Sequence, residues 1–180
     1  MEPDIRSRFL EMMQRPDAEI DLARSALLVA AENDPALDVE TEMGRLDRWA
    51  EELGRRIDPS WNSLQRLARL RTCMYEELGF KGDVRGYYSP ANSLLHSVMS
   101  RRLGIPLTLS IVFMELGWRV GMPFEGVGFP GHFLVRVAGR RGPLLLDVAD
   151  FDVADGGLSV GGRSSLCGKA HSCIASSHAA

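Results

Sequence analysis

The sequence of 180 residues is poor in cysteine, with only Cys73, Cys167 and Cys173. An odd number of cysteines without framework spacing argues against a disulfide-stapled secreted domain and is typical of a reducing compartment. The two C-terminal cysteines and the histidines beside them match no common zinc spacing. We therefore predict a cytoplasmic protein without a disulfide framework, a metal ion or a cofactor.

The sequence also lacks a strong excess of positive or negative charge, and it lacks long hydrophobic stretches. The formal net charge is -3 and the isoelectric point is about 5.8, which gives no basic footprint for nucleic acid or an anionic membrane. The longest apolar stretch, residues 105–116, contains Pro106, Ser110 and Glu115 and falls short of the roughly 18 residues that span a bilayer. No basic stretch leads into an apolar segment at the N-terminus, so we expect no secretory signal. The expected partners are small molecules or proteins.

What the sequence does contain is the composition of an ordinary globular domain. Hydrophobic residues make up 45% and charged residues 25% of the chain, which argues against disorder and against a coiled coil. From residue 156 onward small residues dominate, and apolar residues show no regular spacing. This segment can therefore bury little apolar surface to offset the conformational entropy lost on ordering. We predict one domain over residues 1–155 and a flexible tail over residues 156–180.

The apolar spacing changes along the chain from a helical period to a strand period. Apolar residues recur every three or four positions through the first half, and they alternate with other residues after Gly121. The stretch at 107–120 is apolar nearly all round, which is typical of a helix in the centre of a fold. We predict an α+β fold. It has a helical lobe at residues 20–31, 39–57 and 58–78, an ordered loop at 79–90, helices at 92–103 and 107–120, and antiparallel strands at 125–129, 133–137 and 144–148.

A histidine and an aspartate lie near the ends of the last two predicted strands. A hairpin turn at residues 139–142 places Leu134 opposite Asp147, so that His132 and Asp147 are diagonal neighbours on one face. Their separation is then roughly 7–8 Å, which two side chains can close to a hydrogen bond. A carboxylate on an imidazole fixes the tautomer and stabilises the protonated ring of a general base. The alternative is that they are only a polar strand end and the start of a turn.

A nucleophile for this pair would come from another part of the chain. Asn92 and Ser93 precede the short predicted helix, where unpaired backbone N–H groups favour a developing anion. Serine and asparagine are also the residues that N-cap positions prefer. Ser89 and Ser93 are therefore equally explained as plain helix caps.

Three motifs resemble one known family. Asn-Ser at 92–93, Arg-Arg-x-Gly-Ile-Pro at 101–106 and Pro-Gly-His-Phe at 130–133 are similar to the bacterial transglutaminase-like family named after an invasion-gene regulator, whose members often carry tetratricopeptide repeats. The resemblance covers residues 20–147 and implies a papain-type core of a buried helix and a small antiparallel sheet. It also implies that His132 and Asp147 match the family's histidine and aspartate and that Ser93 lies nearest its nucleophile. The candidate binding residues beside this triad are Asn92, Tyr88 and Gly131.

The chain departs from this family in two places. The family uses a cysteine nucleophile, whereas no cysteine occurs between Cys73 and Cys167, and a serine hydroxyl is far less nucleophilic without a well-aligned base. The segment after Asp147 also lacks the family's usual continuation, as a truncated or frame-shifted gene would produce. Two functions remain open. One is a regulatory or scaffolding module that binds a peptide or protein without efficient catalysis, and the other is a weak hydrolase or acyl-transfer enzyme with a Ser-His-Asp triad.

Overall fold

The computed structural model describes residues 4–129, 132–139 and 142–148. In these ranges the α-helices are α1 (Ile5–Met13), α2 (Leu22–Asn33), α3 (Val39–Gly54), α4 (Ser63–Arg71), α5 (Leu95–Arg101) and α6 (Pro106–Arg119). Short 3-10 turns cover Asp17–Glu19 and Pro90–Asn92, and a π-helix over Thr72–Glu77 continues α4. The strands are β1 (Lys81–Gly82), β2 (Leu103–Gly104), β3 (Phe124–Phe129), β4 (His132–Gly139) and β5 (Gly142–Leu146).

This content of helices and one small antiparallel sheet confirms the predicted α+β class. None of the helices in the described ranges has the length and apolarity required to cross a bilayer. The predicted tail at residues 156–180 lies outside the described residues. The division of the chain into a domain and a tail therefore stays a prediction.

The third predicted helix, α4, begins later in the chain than expected, because polar side chains cap it there. The sequence predicted a start near Asp58, but α4 begins at Ser63 because Asn62 and Gln65 form a reciprocal capping box. The Asn62 side chain accepts from the backbone N–H of Gln65 at 3.1 Å, and the Gln65 side chain accepts from that of Asn62 at 3.0 Å. Asp58 instead accepts from the backbone N–H of Ser60 at 2.8 Å, within a turn. The helix α1 was not predicted at all.

The core lies between the helical lobe and α6. Leu27, Leu46, Leu53 and Leu70 are completely buried, and residues 108–117 of α6 are buried on every side. The predicted central helix is thus confirmed, and Pro106 occupies its first turn as expected. Leu64, in the first turn of α4, is 41% exposed and lies outside this core.

Glu115 is a buried carboxylate that ties α6 to the helical lobe. Its Oε1 accepts the backbone N–H of Ala23, in the first turn of α2, at 2.9 Å. Its other oxygen pairs with Arg119, which also donates to Asp47 of α3 at 2.7 Å. Burial raises the pKa of Glu115 above its usual range, and the Arg119 guanidinium opposes that shift. One charged side chain therefore satisfies a free helix N–H and joins three helices.

The sheet has the order β3-β4-β5 with antiparallel pairing throughout. Val135 pairs with Leu146, and Gly139 pairs with Gly142, so the hairpin register is the one that the sequence predicted. The helix α6 packs on this sheet at Gly117, where an added Cβ would lie 2.0 Å from the Phe124 ring. Only glycine permits this close approach between helix and strand.

Residues 79–90 contain one regular element that the sequence analysis did not predict. The short strand β1 pairs in parallel with β2, with Lys81 beside Leu103 and Gly82 beside Gly104. The backbone N–H of Asp83 donates to the carbonyl oxygen of Gly104 at 3.0 Å. A pairing of two residues has no period to detect in the sequence, because it depends on contacts across the fold.

Candidate functional site

Ser93 lies directly after the 3-10 turn Pro90–Asn92 and two residues before α5. Its backbone N–H donates to the carbonyl oxygen of Pro90 at 3.0 Å, and the residue is exposed. No residue of the described ranges hydrogen-bonds to its hydroxyl. The N-cap position of α5 is Leu94 without a side-chain cap, so Ser93 is not the cap of this helix. Ser89 occupies the N-cap position of the 3-10 turn, but its side chain makes no capping hydrogen bond.

Asn92, beside Ser93, is completely buried and satisfied by hydrogen bonds. Its Nδ2 donates to the carbonyl oxygen of Gly86 at 2.7 Å and to Asp83 Oδ2 at 3.1 Å. Its Oδ1 accepts from Arg101 Nη2 at 2.7 Å, and its backbone carbonyl accepts from Thr108 Oγ1 at 2.8 Å. The residue predicted to bind a ligand thus holds a loop and a short helix together through its side chain, and it contacts the start of α6 through its backbone carbonyl.

Asp83 closes the other end of the same loop. Its Oδ1 accepts the backbone N–H of Gly86 at 2.7 Å. This hydrogen bond, with that from Asn92, holds the pKa of Asp83 below its usual range. A Cβ on Gly86 would lie 2.7 Å from Asp83 Oδ2, so a larger residue there would displace this carboxylate from its hydrogen bonds. Residues 81–88, called the tyrosine loop below, are therefore held by polar contacts of Asp83 within the loop and of Asn92 just beyond it.

The first two residues of the Arg-Arg-x-Gly-Ile-Pro motif, Arg101 and Arg102, each have a structural role. Arg101 donates to the Asn92 side chain, as above. Arg102 adopts a left-handed backbone with φ 62°, and its guanidinium lies 4.1 Å from the Trp49 ring centroid and 4.9 Å from that of Phe80. These cation–π contacts offset the cost of a left-handed non-glycine residue. A Cβ on Gly104 would lie 2.8 Å from two neighbouring side chains, so this position is closely packed as well.

Three large side chains of the tyrosine loop point away from the body of the protein. Val84 is 89% exposed, Tyr87 48% and Tyr88 94%. The Tyr87 and Tyr88 rings meet edge to face at 5.2 Å between centroids. Tyr88, a predicted binding residue, is therefore accessible to a partner and contributes little to the core.

The predicted histidine and aspartate lie at one end of the sheet. His132 is the first residue of β4, where its backbone pairs with Phe129. Asp147 directly follows β5 and is half-buried. The side chain of His132 and the whole of Gly131 lie outside the described residues. The contact between His132 and Asp147 therefore stays a prediction, although the strand register on which it was based is confirmed.

Tyr75 connects the π-helix to the segment that carries Asp147. Its hydroxyl donates to the carbonyl oxygen of Val148, one residue after Asp147. Burial raises the pKa of Tyr75 above its usual range, and the negative charge of Asp147 adds to this shift. A π-helix turns its side chains to angles that an α-helix does not give, and such segments are common near functional sites. The end of β5 is thus held by a residue that the sequence analysis missed.

The helix α6 connects the two groups of candidate residues. Its start contacts Asn92 through Thr108, and its body packs against β3 and β4. The first two residues, Pro106 and Leu107, carry no nucleophilic group, and the Thr108 hydroxyl is buried and engaged in hydrogen bonds. No thiol or free hydroxyl therefore stands at the start of the helix that faces the sheet.

A groove of about 560 Å³ opens elsewhere, between α3, α4 and the C-terminal end of α6. It contains none of the predicted site residues. Its charged residues include Asp47 and Arg119, which are already paired with each other. Shape alone would favour this groove as a binding site, but its charged side chains are used in contacts between the helices. We therefore place the candidate site at the tyrosine loop.

Metal and thiol chemistry find no support in the described ranges. No three side chains of His, Cys, Asp or Glu lie close enough there to hold a metal ion. Cys73 is buried, and burial raises the pKa of its thiol, which keeps it protonated and unreactive. It packs as a small apolar residue of the core.

Comparison with known proteins agrees with the motifs. A family model described as the transglutaminase-like superfamily matches residues 40–154. The chain belongs to the transglutaminase-like superfamily. The match takes in the tyrosine loop, α5, α6 and the sheet, which are the elements that position the candidate site.

Curated relatives of this superfamily member include bacterial and animal proteins. A UPF0162 protein of Xylella fastidiosa is 34% identical over 131 residues, which cover 73% of this chain and 47% of that protein. A UPF0162 protein of Pseudomonas aeruginosa is 37% identical over 126 residues, covering 70% and 45%. F-box only protein 21 of Homo sapiens is 35% identical over 91 residues, covering 51% and 14%. The chain thus spans about half the length of its bacterial relatives. No solved structure matches it at a significant level.

Sequence reasoning missed three residues that hold the site of this transglutaminase-like domain. Asp83 and Arg101 fix Asn92, and Tyr75 fixes the end of β5. The signal for Asp83 was available, because Asp-x-x-Gly is a common Asx-turn pattern. Tyr75 gave no such signal, since its partner is a backbone carbonyl 73 residues away.

Proposed function

We propose that this transglutaminase-like domain is a regulatory or scaffolding module that binds a peptide or protein segment without efficient catalysis. It would then belong to the branch of the superfamily named after an invasion-gene regulator. The site would consist of the tyrosine loop with Ser93 and the strand ends that carry His132 and Asp147.

The observation that carries this proposal is the lack of a nucleophile at both helix starts. No cysteine occurs between Cys73 and Cys167. Ser93 is exposed, and no described residue aligns or activates its hydroxyl, whereas a serine nucleophile needs an adjacent base. Pro106 stands at the first position of the helix that packs on the sheet. These features are better explained by a domain that has kept its binding function than by one that has kept catalysis.

A second observation supports binding. The tyrosine loop is rigidly held by Asn92 and Asp83 and yet presents Tyr88 almost completely to solvent. A binding surface gains affinity when its anchors are ordered in advance, because less conformational entropy is lost on association. Exposed aromatic residues are also the residue type most enriched at the centres of protein interfaces.

The alternative is a weak hydrolase or acyl-transfer enzyme with Ser93 as nucleophile, His132 as base and Asp147 as the residue that orients it. The specific observation in its favour is the register of β4 and β5, which matches the one that makes His132 and Asp147 diagonal neighbours. In this mechanism His132 would take the proton of Ser93 as the hydroxyl attacks an acyl carbon.

One experiment separates the two functions. The protein is treated with a fluorophosphonate probe, which labels activated serines, and the extent of labelling is compared with that of Ser93→Ala and of the control Ser97→Ala. Under the proposed function none of the three proteins is labelled above background, while a serine hydrolase in the same assay is. Labelling that is lost in Ser93→Ala and kept in Ser97→Ala would establish the enzyme instead.

Binding is tested with a random 12-residue peptide library displayed on phage. Selected peptides are then measured by fluorescence anisotropy with the pure protein. The proposal expects saturable binding that Ser93→Ala retains and that Tyr88→Ala weakens roughly tenfold, since central aromatic anchors contribute more than 1 kcal/mol. Failure to select any peptide that binds saturably would contradict the proposed function.

A further inference from the structure

The tyrosine loop combines exposed apolar groups with exposed positive charge. Its three large apolar side chains, Val84, Tyr87 and Tyr88, are all exposed. Lys81 and Arg85, in the same loop, are exposed too, and neither forms an ion pair with a carboxylate within the part of the chain that the structure describes. Single exposed apolar residues are ordinary, but three in one short loop mark a candidate interaction surface.

The negative charge of this loop is already engaged inside it. Asp83 is its acidic residue, and both carboxylate oxygens accept hydrogen bonds, from Gly86 and from Asn92. Because these donors stabilise the carboxylate where it is, it is not available to pair with Lys81 or Arg85. The surface that remains is positively charged, in a chain whose formal net charge is -3.

A third positive residue lies beside the loop. The strand pairing of β1 with β2 brings Lys81 next to Leu103, and its backbone N–H donates to the carbonyl of Arg102. Arg101, immediately before Arg102, is exposed, although its Nη2 donates to Asn92 and its Nε to Ser97. Its positive charge also helps to lower the pKa of Asp83. Lys81 and Arg85 within the loop and Arg101 next to it are thus exposed cations that accompany the exposed apolar groups.

We infer that the tyrosine loop recognises an acidic peptide segment that also carries apolar side chains. The carboxylates of such a segment would pair with Lys81, Arg85 and Arg101, and its apolar side chains would pack on Tyr87, Tyr88 and Val84. A projecting loop suits an extended peptide, which can lie along it, more than a small molecule, which needs a concave pocket. This inference rests on the proposed peptide-binding function and names the chemistry of the partner.

Electrostatic recognition of this kind has two measurable signs. Affinity falls with added salt, because the Debye length shortens from about 10 Å at 0.1 M to about 3 Å at 1 M. Affinity also depends on the sign of the charge on each partner, since like charges brought together are destabilising. Apolar packing on the tyrosines alone would show neither sign.

The test uses three fluorescein-labelled nonapeptides that differ only in charge. The acidic probe has the sequence Gly-Glu-Leu-Glu-Phe-Glu-Leu-Glu-Gly, and the two matched probes replace every Glu by Gln or by Lys. Binding to the full chain is measured by anisotropy at low and at high salt. We expect the acidic probe to bind at least tenfold more tightly than the Gln probe at low salt, and this preference to disappear at high salt.

Charge reversal in the protein completes the test. Arg85→Glu should weaken binding of the acidic probe by roughly five- to tenfold, because it removes one exposed pair and introduces a repulsion. The matched control is Arg55→Glu, which reverses an exposed arginine directly after α3, far along the chain from the loop. A control that weakens binding as much as Arg85→Glu does would overturn the inference, since only overall charge would then matter.

The outcomes distinguish this inference from the proposed function. If phage-selected peptides bind but the Glu and Gln probes bind equally, or if none of the three probes binds, the acidic preference is wrong and the binding function stands. If the acidic probe binds as expected but Ser93 is labelled by the fluorophosphonate, the partner chemistry stands and the non-catalytic function is wrong.

Discussion

The helical lobe and the tyrosine loop are built on opposite patterns of burial. In the lobe, Leu27 and Leu46 are completely buried, while ion pairs such as Arg56 with Glu52 lie on the surface. At the tyrosine loop the buried group is the polar Asn92, which bonds to the loop from four residues beyond its end. The exposed group is Tyr88, at 94%. Apolar burial stabilises a fold without specifying one conformation of its surface. Satisfied polar contacts, in contrast, specify a single conformation. The loop is thus ordered by its polar groups and leaves its apolar groups for a partner.

The largest effect should come from breaking the apolar side of this comparison. Leu46→Ala should lower the free energy of unfolding by about 3 kcal/mol, because it leaves a cavity at a fully buried position. The measurement is urea denaturation followed by circular dichroism. Leu64→Ala is the matched control and should cost less than about 0.5 kcal/mol, since Leu64 is 41% exposed. Equal losses would mean that the lobe is not organised around Leu46.

Removing the polar contacts that hold the tyrosine loop should have the next largest effect. Asn92→Ala should lower the free energy of unfolding by about 2 kcal/mol, because it leaves buried groups of the loop without a partner. Hydrogen exchange of the Gly86 amide should become faster in the same variant. The control is Asn33→Ala, which removes an exposed hydrogen bond to Val29 and should change stability by less than about 0.5 kcal/mol. If the loop stayed equally protected in Asn92→Ala, its order would not depend on this network.

A smaller effect is expected where the lobe holds the end of the sheet. Tyr75→Phe removes the hydrogen bond to Val148 and should lower the free energy of unfolding by about 1 kcal/mol. Faster hydrogen exchange should be confined to β5 and the residues after it. Tyr87→Phe, on the exposed loop, is the control and should leave both quantities unchanged. Exchange that speeds up equally over α2 and α3 would show that Tyr75 supports the whole fold rather than one strand end.

The two regions should also respond to pH with opposite signs. The pKa of Asp83 is lowered in the folded protein, so its contribution to stability is present above pH 4 and is lost as the pH falls through the folded value. The pKa of Glu115 is raised, so its contribution is present at low pH and is lost as the pH rises through the folded value.

Two isosteric substitutions separate these contributions. Asp83→Asn should make the slope of stability against pH less positive below pH 4, and Glu115→Gln should make the slope more positive above about pH 4.5. The slope is obtained from urea denaturation at closely spaced pH values. Slopes that shift in the same direction in both variants would contradict the assignment.

The smallest effect on stability is expected at the most exposed residue of the loop. Tyr88→Ala should change the free energy of unfolding by less than about 0.5 kcal/mol, because the side chain is 94% exposed. The same variant should weaken peptide binding roughly tenfold. This result would distinguish the residues of the loop that bind a partner from those that keep the loop ordered. A loss of stability above about 1 kcal/mol would show that Tyr88 belongs to the fold.

Much of this architecture could be predicted from the sequence because it depends on local patterns. The all-round apolar stretch predicted α6, and the turn between Gly139 and Gly142 predicted the register of β4 and β5. Both depend on neighbours in sequence, for which periodicity and turn geometry are sufficient. The start of α4 was misplaced because the capping box of Asn62 and Gln65 competes with the turn signal at Pro59.

The interior of the candidate site could not be predicted in the same way. Asn92 was expected to face a ligand, because its place before a short helix is where an anion site would lie. Its hydrogen-bond partners come from separate segments of the chain, including Asp83, Arg101 and Thr108. No sequence period marks such a convergence, so the residue type showed that the position was special without showing which side it faced.

The bond between Glu115 and the Ala23 amide also constrains how the chain folds during synthesis. The two residues are 92 positions apart, a length that a ribosome adds in roughly 5 to 18 seconds. Over that interval the newly made α2 has one free N–H group at its first turn that only a later helix satisfies. The apolar faces of α2 and α3 that pack on α6 therefore stay without that partner until α6 has been synthesised.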